Sequence, residues 1–312
     1  MLAVTDDLPR YLAPFTPLLN PKERRIWVVL ATLVALVIYL STLQTIVNGS
    51  DHPYTTDVGE IQNALPRWGL IHRSGYPLYT ALGSLFVTLW RWVGVQPAAG
   101  ASLFSALWGA ATAGLIVMLA QELGAPGPAA ALGALFVTLS TSMWVDASIA
   151  EVHTLTRAFR FATLVLALRF SRTGDRRDLL WLTLVFAQGV LHQRTVALLG
   201  PTVLLFVWPQ WRAVRRHLGS TLLAGLLSPL IYLYMPIRVW TGATWVFGSP
   251  GTWDGFWTMV LDNRAERISQ PFTSADNLLT RLTVTGRIPV SYTHLRAHET
   301  SLHLVCRLLL EK

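Results

Sequence analysis

Apolar residues run in long blocks along this chain, and the polar ones collect in short gaps between them. The first block extends from Ile26 to about Val47. At about 1.5 Å per helical residue it can cross a hydrocarbon core about 30 Å thick. Further blocks lie at 101–120, 127–145, 154–170, 179–196, 197–209 and 218–235, with another apolar stretch at 77–95. The pattern predicts an all-α polytopic membrane protein, and its gaps carry the information on orientation.

Those gaps are not alike. Lys22-Glu-Arg-Arg25 precedes the first block, Ser171-Arg-Thr-Gly-Asp-Arg-Arg177 follows the block at 154–170, and Trp211-Arg-Ala-Val-Arg-Arg-His217 follows that at 197–209. Short basic loops stay in the cytoplasm, so all three are expected on one side, with the N-terminus. That requires four crossings before Ser171. Five would result if 77–95 also spanned, so it is expected to lie in the membrane plane, as Trp90, Arg91 and Trp92 also suggest. About seven transmembrane helices follow. They leave Asp57, Glu60, His72, Asp146, Glu151, His153, His192, Arg194 and Arg238 on the opposite, outer face.

Composition agrees with a membrane chain. Of 312 residues 52% are hydrophobic and 13% charged, against about 25% charged in soluble domains. Mean hydropathy is +0.44. The formal charge of +8 would fit nucleic acid in a soluble protein, but here the basic residues sit in loops that set topology, so no nucleic-acid partner is expected. About 25 mostly polar or Pro-rich residues precede the first block, so no cleavable leader is expected. The single cysteine, Cys306, leaves no disulfide framework and no cysteine metal cluster.

Asp57 and Glu60 fall on one face if their segment is helical. A carboxylate beside a membrane can act as general base toward a hydroxyl, its pKa lifted by burial and by a second carboxylate. The same spacing also suits a helix cap or a solvated pair. Arg157 and Arg160 interrupt an apolar block near its outer end. They suit an anionic head group or snorkelling to the interface. His192 and Arg194 at a block end can hold a phosphate, and Arg238 follows the last block, where Pro236 is expected to end the helix. The histidines show no metal spacing, so no metal is assigned. Asp57, Glu60 and Glu151 would offer oxygen ligands to Mg²⁺ or Mn²⁺.

Taken in order, T-D-V-G-E (56–60), H-x-x-G-Y-P-L-Y (72–79), A-E-V-H (150–153), H-Q-R-T (192–195) and Y-M-P-I-R (234–238) resemble the motifs of a membrane family related to the protein O-mannosyltransferases. The resemblance covers about residues 26–262. It implies a GT-C-type helical bundle with in-plane helices in the first outer loop, and a sugar donor on polyprenyl phosphate. It implies Asp57 as catalytic base with Glu60 as its partner, His72 and Tyr76 shaping the loop, and Glu151 on the opposite wall. Where the family has two prolines after the loop histidine this chain has Arg73-Ser74, and His153 stands where tyrosine is usual.

The expected organisation is a cytoplasmic segment 1–25, a GT-C-like transmembrane domain 26–238 with its outer loop at 48–100, and an outer-face segment beginning at 239–289. From about residue 290 the text Val290-Ser-Tyr-Thr-His-Leu-Arg-Ala-His-Glu-Thr300 resembles translated adaptor sequence, so a foreign tail is expected. The expected function is transfer of a mannose-like sugar to a hydroxyl of a protein or glycan acceptor. The donor would be met by His72, Tyr76, Glu151, His153, Arg157, His192, Arg194 and Arg238, within an integral multi-pass protein of a bacterial inner membrane. A lipid or solute transporter would show inverted repeats, and a non-catalytic scaffold would tolerate loss of Asp57.

Overall fold

The structure, a computed structural model, describes residues 20–49 and 56–261, all in helices, turns and loops. The tail from 290 and most of the 239–289 segment lie outside these residues.

Helix α1 (Pro21–Ser41) starts where the Asn20 side chain accepts hydrogen bonds from the Lys22 and Glu23 amides, with Pro21 in the first turn, where its missing N–H costs nothing. After α2 (Thr56–Ala64) and α3 (Pro77–Trp92) comes α4 (Pro97–Glu122), the 26-residue helix on which the bundle is built. Its buried small residues let neighbours approach closely. A Cβ on Gly109 would lie 2.7 Å from Cβ of Ala147, and one on Gly114 would lie 2.5 Å from Oγ1 of Thr32.

Helices α5 (Gly127–Thr138) and α6 (Thr141–Ser148) form one apolar run bent by 72°. The bend is tied to the end of α1: Tyr39 donates to the Thr138 carbonyl at 2.7 Å, and Trp144 donates to Thr42 Oγ1 at 2.8 Å. Helix α7 (His153–Thr173) ends at Gly174 in the left-handed conformation, and Asp175 caps α8 (Arg176–His192). The chain then continues as a string of short pieces, α9 (Gly200–Val207), α10 (Trp211–Arg216), α11 (Leu218–Leu227), α12 (Tyr234–Trp240) and α13 (Trp253–Leu261). Pro201, Pro209 and Pro229 fall at the joints, where a ring without an N–H is tolerated. Pro236 does not end the last run, contrary to the expectation from sequence. It sits in the opening turn of α12, and the helix continues to Trp240.

Among the described residues, three helical runs are long and apolar enough to cross a membrane: Pro21–Ser41, Pro97–Glu122 and Leu218–Trp240, or four if the bent α5–α6 pair is one span. The expectation of seven such helices is therefore met only in part. Helix α7 carries Arg157, Arg160, Arg169 and Arg172, α8 has 17 residues, and the run at 197–209 is broken. Exposed Ile26, Val29, Leu33 and Val37 give α1 an apolar outer face, as an integral membrane protein requires.

The direction of each segment follows from its contacts. Helix α1 runs against α4, with Arg24 on Glu122 and the Tyr39 ring on Gly109. The segment after α8 starts at Val196 beside Gly189 and reaches Gln210, whose Nε2 donates to the Ser171 carbonyl at 3.1 Å. It thus travels the length of α7. The next run returns beside α8, with Gln188 donating to the Ser228 carbonyl and Tyr232 to that of Leu191. Arg24, Arg172 and Gln210 gather at one end of the bundle. Helix α3 stays near the other end, where Tyr79 meets Ser105 and Gly100 meets Val87 in the first turns of α4.

Candidate functional site

Helix α2 sits on the bundle with Val58 and Ile61 fully buried, which turns Asp57 and Glu60 away from the core. Gln62 fixes the helix against the preceding chain: it accepts from the Asn48 amide at 2.8 Å and donates to the Ile46 carbonyl at 3.2 Å. Gly59, between the two carboxylates, has no room for a side chain, because a Cβ would lie 2.5 Å from the Asn48 carbonyl oxygen. The loop after α2 is pinned at Trp68, whose carbonyl accepts from Nε of Arg238 at 2.7 Å, and at Leu70, which exchanges backbone hydrogen bonds with Trp245 and Phe247.

That loop delivers His72 to the acidic pair. Its Nδ1 lies 2.6 Å from Glu60 Oε2, and its Nε2 lies 3.7 Å from Asp57 Oδ2. Burial alone would lower the His72 pKa, but the Glu60 hydrogen bond and the Asp57 and Glu60 charges outweigh it and raise the value above 6.5. Glu60 and His72 are mostly enclosed, whereas the Asp57 side chain is 54% exposed. The Asp57 carboxylate is thus open to the outside, while Glu60 and His72 are largely covered.

Tyr76 joins this cluster to the opposite wall. Gly75 at φ +80° and Tyr76 at φ +41° make a left-handed corner that starts α3 at Pro77. The Tyr76 ring meets His72 edge-on at 5.4 Å and His192 at 5.1 Å. His192 is buried and its Nε2 donates to the Val152 carbonyl at 3.1 Å, so Nε2 carries the proton and the buried Nδ1 has no hydrogen-bond partner. Next to it Glu151 is buried, with Oε1 accepting from the Val152 amide at 2.8 Å and lying 3.8 Å from His153 Nε2. Burial raises the Glu151 pKa above 4.5, with His153 opposing and the Asp146 and Asp57 charges adding to it.

The arginines behave differently. Arg157 pairs with Asp146 at 2.5 Å, Arg194 donates to the Val260 carbonyl at 2.5 Å, and Arg238 divides its donors between Trp68 and Thr241. Arg160 reaches Thr195 at 2.8 Å. Asp57, Glu60, His72, Tyr76, His192, Glu151 and His153 therefore form one connected group, while Arg157, Arg194 and Arg238 are engaged by other partners. Sequence reasoning missed Ser105, which accepts from the Glu151 amide at 2.9 Å and lies 3.2 Å from the Tyr79 hydroxyl. A serine inside an apolar helix carries no signal of such a role. It also missed Asp146 as the partner of Arg157.

Two chemistries suit the group. An outward carboxylate backed by a half-buried ion pair can take a proton from a hydroxyl. One ligand atom from each of Asp57, Glu60 and His72 lie within 4.8 Å of one another, a spacing that fits a divalent cation. Here His72 takes the place that sequence reasoning gave to Glu151, and it shows that one histidine does reach the carboxylates. A proton on His72 and a cation in the cluster are alternatives, since each neutralises the same two acids.

Comparison with known proteins gives two findings. A sequence model described as the protein O-mannosyl-transferase TMEM260 N-terminal domain matches residues 57–215, which begin at Asp57 and run into α10. The curated protein O-mannosyl-transferase TMEM260 of Mus musculus is 28% identical over 216 residues, 65% of this chain and 30% of the mouse protein. The chain thus spans about a third of the length of that relative. No solved structure matches it.

Proposed function

This chain belongs to the protein O-mannosyl-transferase TMEM260 N-terminal domain family, and we propose that it is a membrane glycosyltransferase that uses Asp57 to activate an acceptor hydroxyl. The observation that carries this reading is the exposed Asp57 carboxylate beside a His72–Glu60 pair. Glu60 holds His72 in place, and His72 orients Asp57. Asp57 takes the hydroxyl proton as the hydroxyl oxygen forms its bond to the anomeric carbon. The bond from that carbon to the donor phosphate breaks, and its electron pair leaves with the phosphate.

The donor we propose is a mannose-like sugar on polyprenyl phosphate, and the acceptor a protein. His153 and His192 of the connected group we assign to the donor side, together with Arg160 on α7 and Arg194 just after α8, whose recorded hydrogen bonds go to Thr195 and the Val260 carbonyl. Arg157 is neutralised by Asp146, and Arg238 we assign to holding the loop at Trp68. We further infer a seven-pass GT-C arrangement with α3 in the membrane plane, the acidic cluster outside and the N-terminus in the cytoplasm. Its support is the alternation of segment directions, with Arg24, Arg172 and Gln210 at one end and Asp57, Glu60 and Glu151 at the other.

The test is transfer of radiolabelled sugar from polyprenyl-phosphate mannose, glucose and arabinose by membranes holding the chain, wild type beside Asp57→Asn. Transfer by wild type and its loss in the variant at equal expression are expected. Equal transfer by both would remove Asp57 as the base, and no transfer from any donor would favour a scaffold.

A further inference from the structure

At the end of the bundle away from Asp57, the Glu122 carboxylate is held by Arg24 of α1 through one oxygen and by Arg172 of α7 through the other. These side chains border a cavity of about 540 Å³ that Arg25 and Arg169 also line. Four arginines thus line a cavity in which one glutamate is paired with two of them. Arg169 faces Asp178 at 3.6 Å, and Arg25 forms no ion pair among the described residues, so the wall keeps positive charge in excess. Between them Gln121 is 2% exposed. Its Nε2 donates to the Arg24 carbonyl at 3.3 Å, while its buried Oε1 has no partner. A buried acceptor left unsatisfied keeps the full cost of its lost hydration, so this oxygen calls for a donor.

The cavity does not end in solvent alone. A second one of about 390 Å³ shares Arg25 and Val29 with it and continues along α1 past Ile26, Leu30 and Leu33. Apart from Arg25 its lining is apolar, and it runs toward the middle of the span. Cations, a lone acceptor and an adjoining apolar groove match the three parts of one amphiphile.

We propose that this is a binding site for an anionic glycerophospholipid. Its phosphate lies among Arg24, Arg25, Arg169 and Arg172, a head-group hydroxyl donates to Gln121 Oε1, and one acyl chain follows the α1 groove. A bound lipid would clamp the ends of α1, α4 and α7, remote from the acidic cluster.

The test uses the full chain in detergent, read by native mass spectrometry and by thermal unfolding, with phosphatidylglycerol, phosphatidylcholine and inorganic phosphate as probes. Phosphatidylglycerol is expected to remain bound and to raise the unfolding temperature, with little effect of the other two. Arg25→Gln, which removes an exposed side chain with no ion pair, is expected to weaken lipid retention about fivefold, from about 1 kcal/mol per basic residue at a lipid surface. Val29→Trp, which closes the groove where the cavities meet, is expected to abolish retention while the unfolding temperature without lipid stays unchanged. Equal retention of phosphatidylcholine would overturn the anionic assignment. Stabilisation by inorganic phosphate as large as by the lipid would reduce the site to an anion site. Undiminished retention in both variants would place the lipid elsewhere.

Discussion

His72 Nδ1 lies 2.6 Å from Glu60 Oε2 while His72 Nε2 faces Asp57, so one imidazole bridges two acids that sit on successive turns of α2. The pKa of His72 is raised above its ordinary 6.5 by these partners. The ion pair therefore stabilises the fold fully below pH 6.5 and is lost as pH climbs through the raised value. His72→Gln should cost about 1 to 3 kcal/mol at pH 6 and distinctly less at pH 9. Thermal unfolding at the two pH values checks this, and an equal loss at both would mean that charge plays no part.

Asp57 and Glu60 should separate in kinetics. Asp57→Asn removes the proposed base and is expected to lower transfer by about 10²- to 10⁴-fold. Glu60→Gln keeps a hydrogen-bond acceptor for His72 and should lower it less. Initial rates at saturating donor decide the order, and a larger loss in Glu60→Gln would exchange the two roles.

Glu151 is buried and its carboxyl is pushed up from 4.5. Charging it in the fold is unfavourable, so that penalty appears as pH rises from about 4.5 through the raised value. Glu151→Gln should unfold at a higher temperature than wild type at pH 8, and the gap should close toward pH 4.5. A gap constant over this range would contradict the desolvation argument.

Gly75 combines φ +80° with a close approach, for an added Cβ would lie 2.4 Å from the Met235 sulfur. Gly75→Ala is expected to destabilise the chain by about 1 to 3 kcal/mol. Met235→Ala in the same chain should recover only the steric part, since the left-handed backbone remains. Unfolding of the two singles and the double measures the coupling.

In a Cys306→Ser background, cysteines at Val93, Arg177 and Thr241 report topology. An impermeant maleimide should label positions 93 and 241 in intact cells and 177 only after permeabilisation. With the N-terminus in the cytoplasm, labelling of 177 in intact cells and protection of both 93 and 241 would mean that α3 crosses.

Much of the scaffold was legible because it depends on local chemistry. Apolar runs long enough to span gave α4 and the 218–240 run close to their observed limits, whereas the first block was placed five to six residues too far along, α1 spanning Pro21–Ser41. Asp57 and Glu60 share a face because helical spacing alone requires it. Where prolines recur, local reading overreached: the block at 197–209 is a short α-helix between two tighter helical turns, and Pro236 opens a helical piece rather than closing one.

The candidate site divides along the same line. Sequence order selected Asp57, Glu60, His72, Tyr76, Glu151, His153 and His192, and the fold joins them. The arginines show what it could not select. Whether Arg157 serves a ligand or Asp146, and whether Arg238 faces a phosphate or the Trp68 carbonyl, depends on which groups the bundle brings within 3 Å.

By itself the sequence determined the apolar segments, the basic gaps and the acidic pair, since each is set by residues one to a few turns apart. Only the tertiary structure decided that Glu60 binds His72, that Glu122 binds Arg24 and Arg172 across 98 and 50 residues, and that Arg238 is tied to Trp68 across 170. Charge attraction acts over a few ångströms, and chain separation says nothing about which ends of packed helices meet.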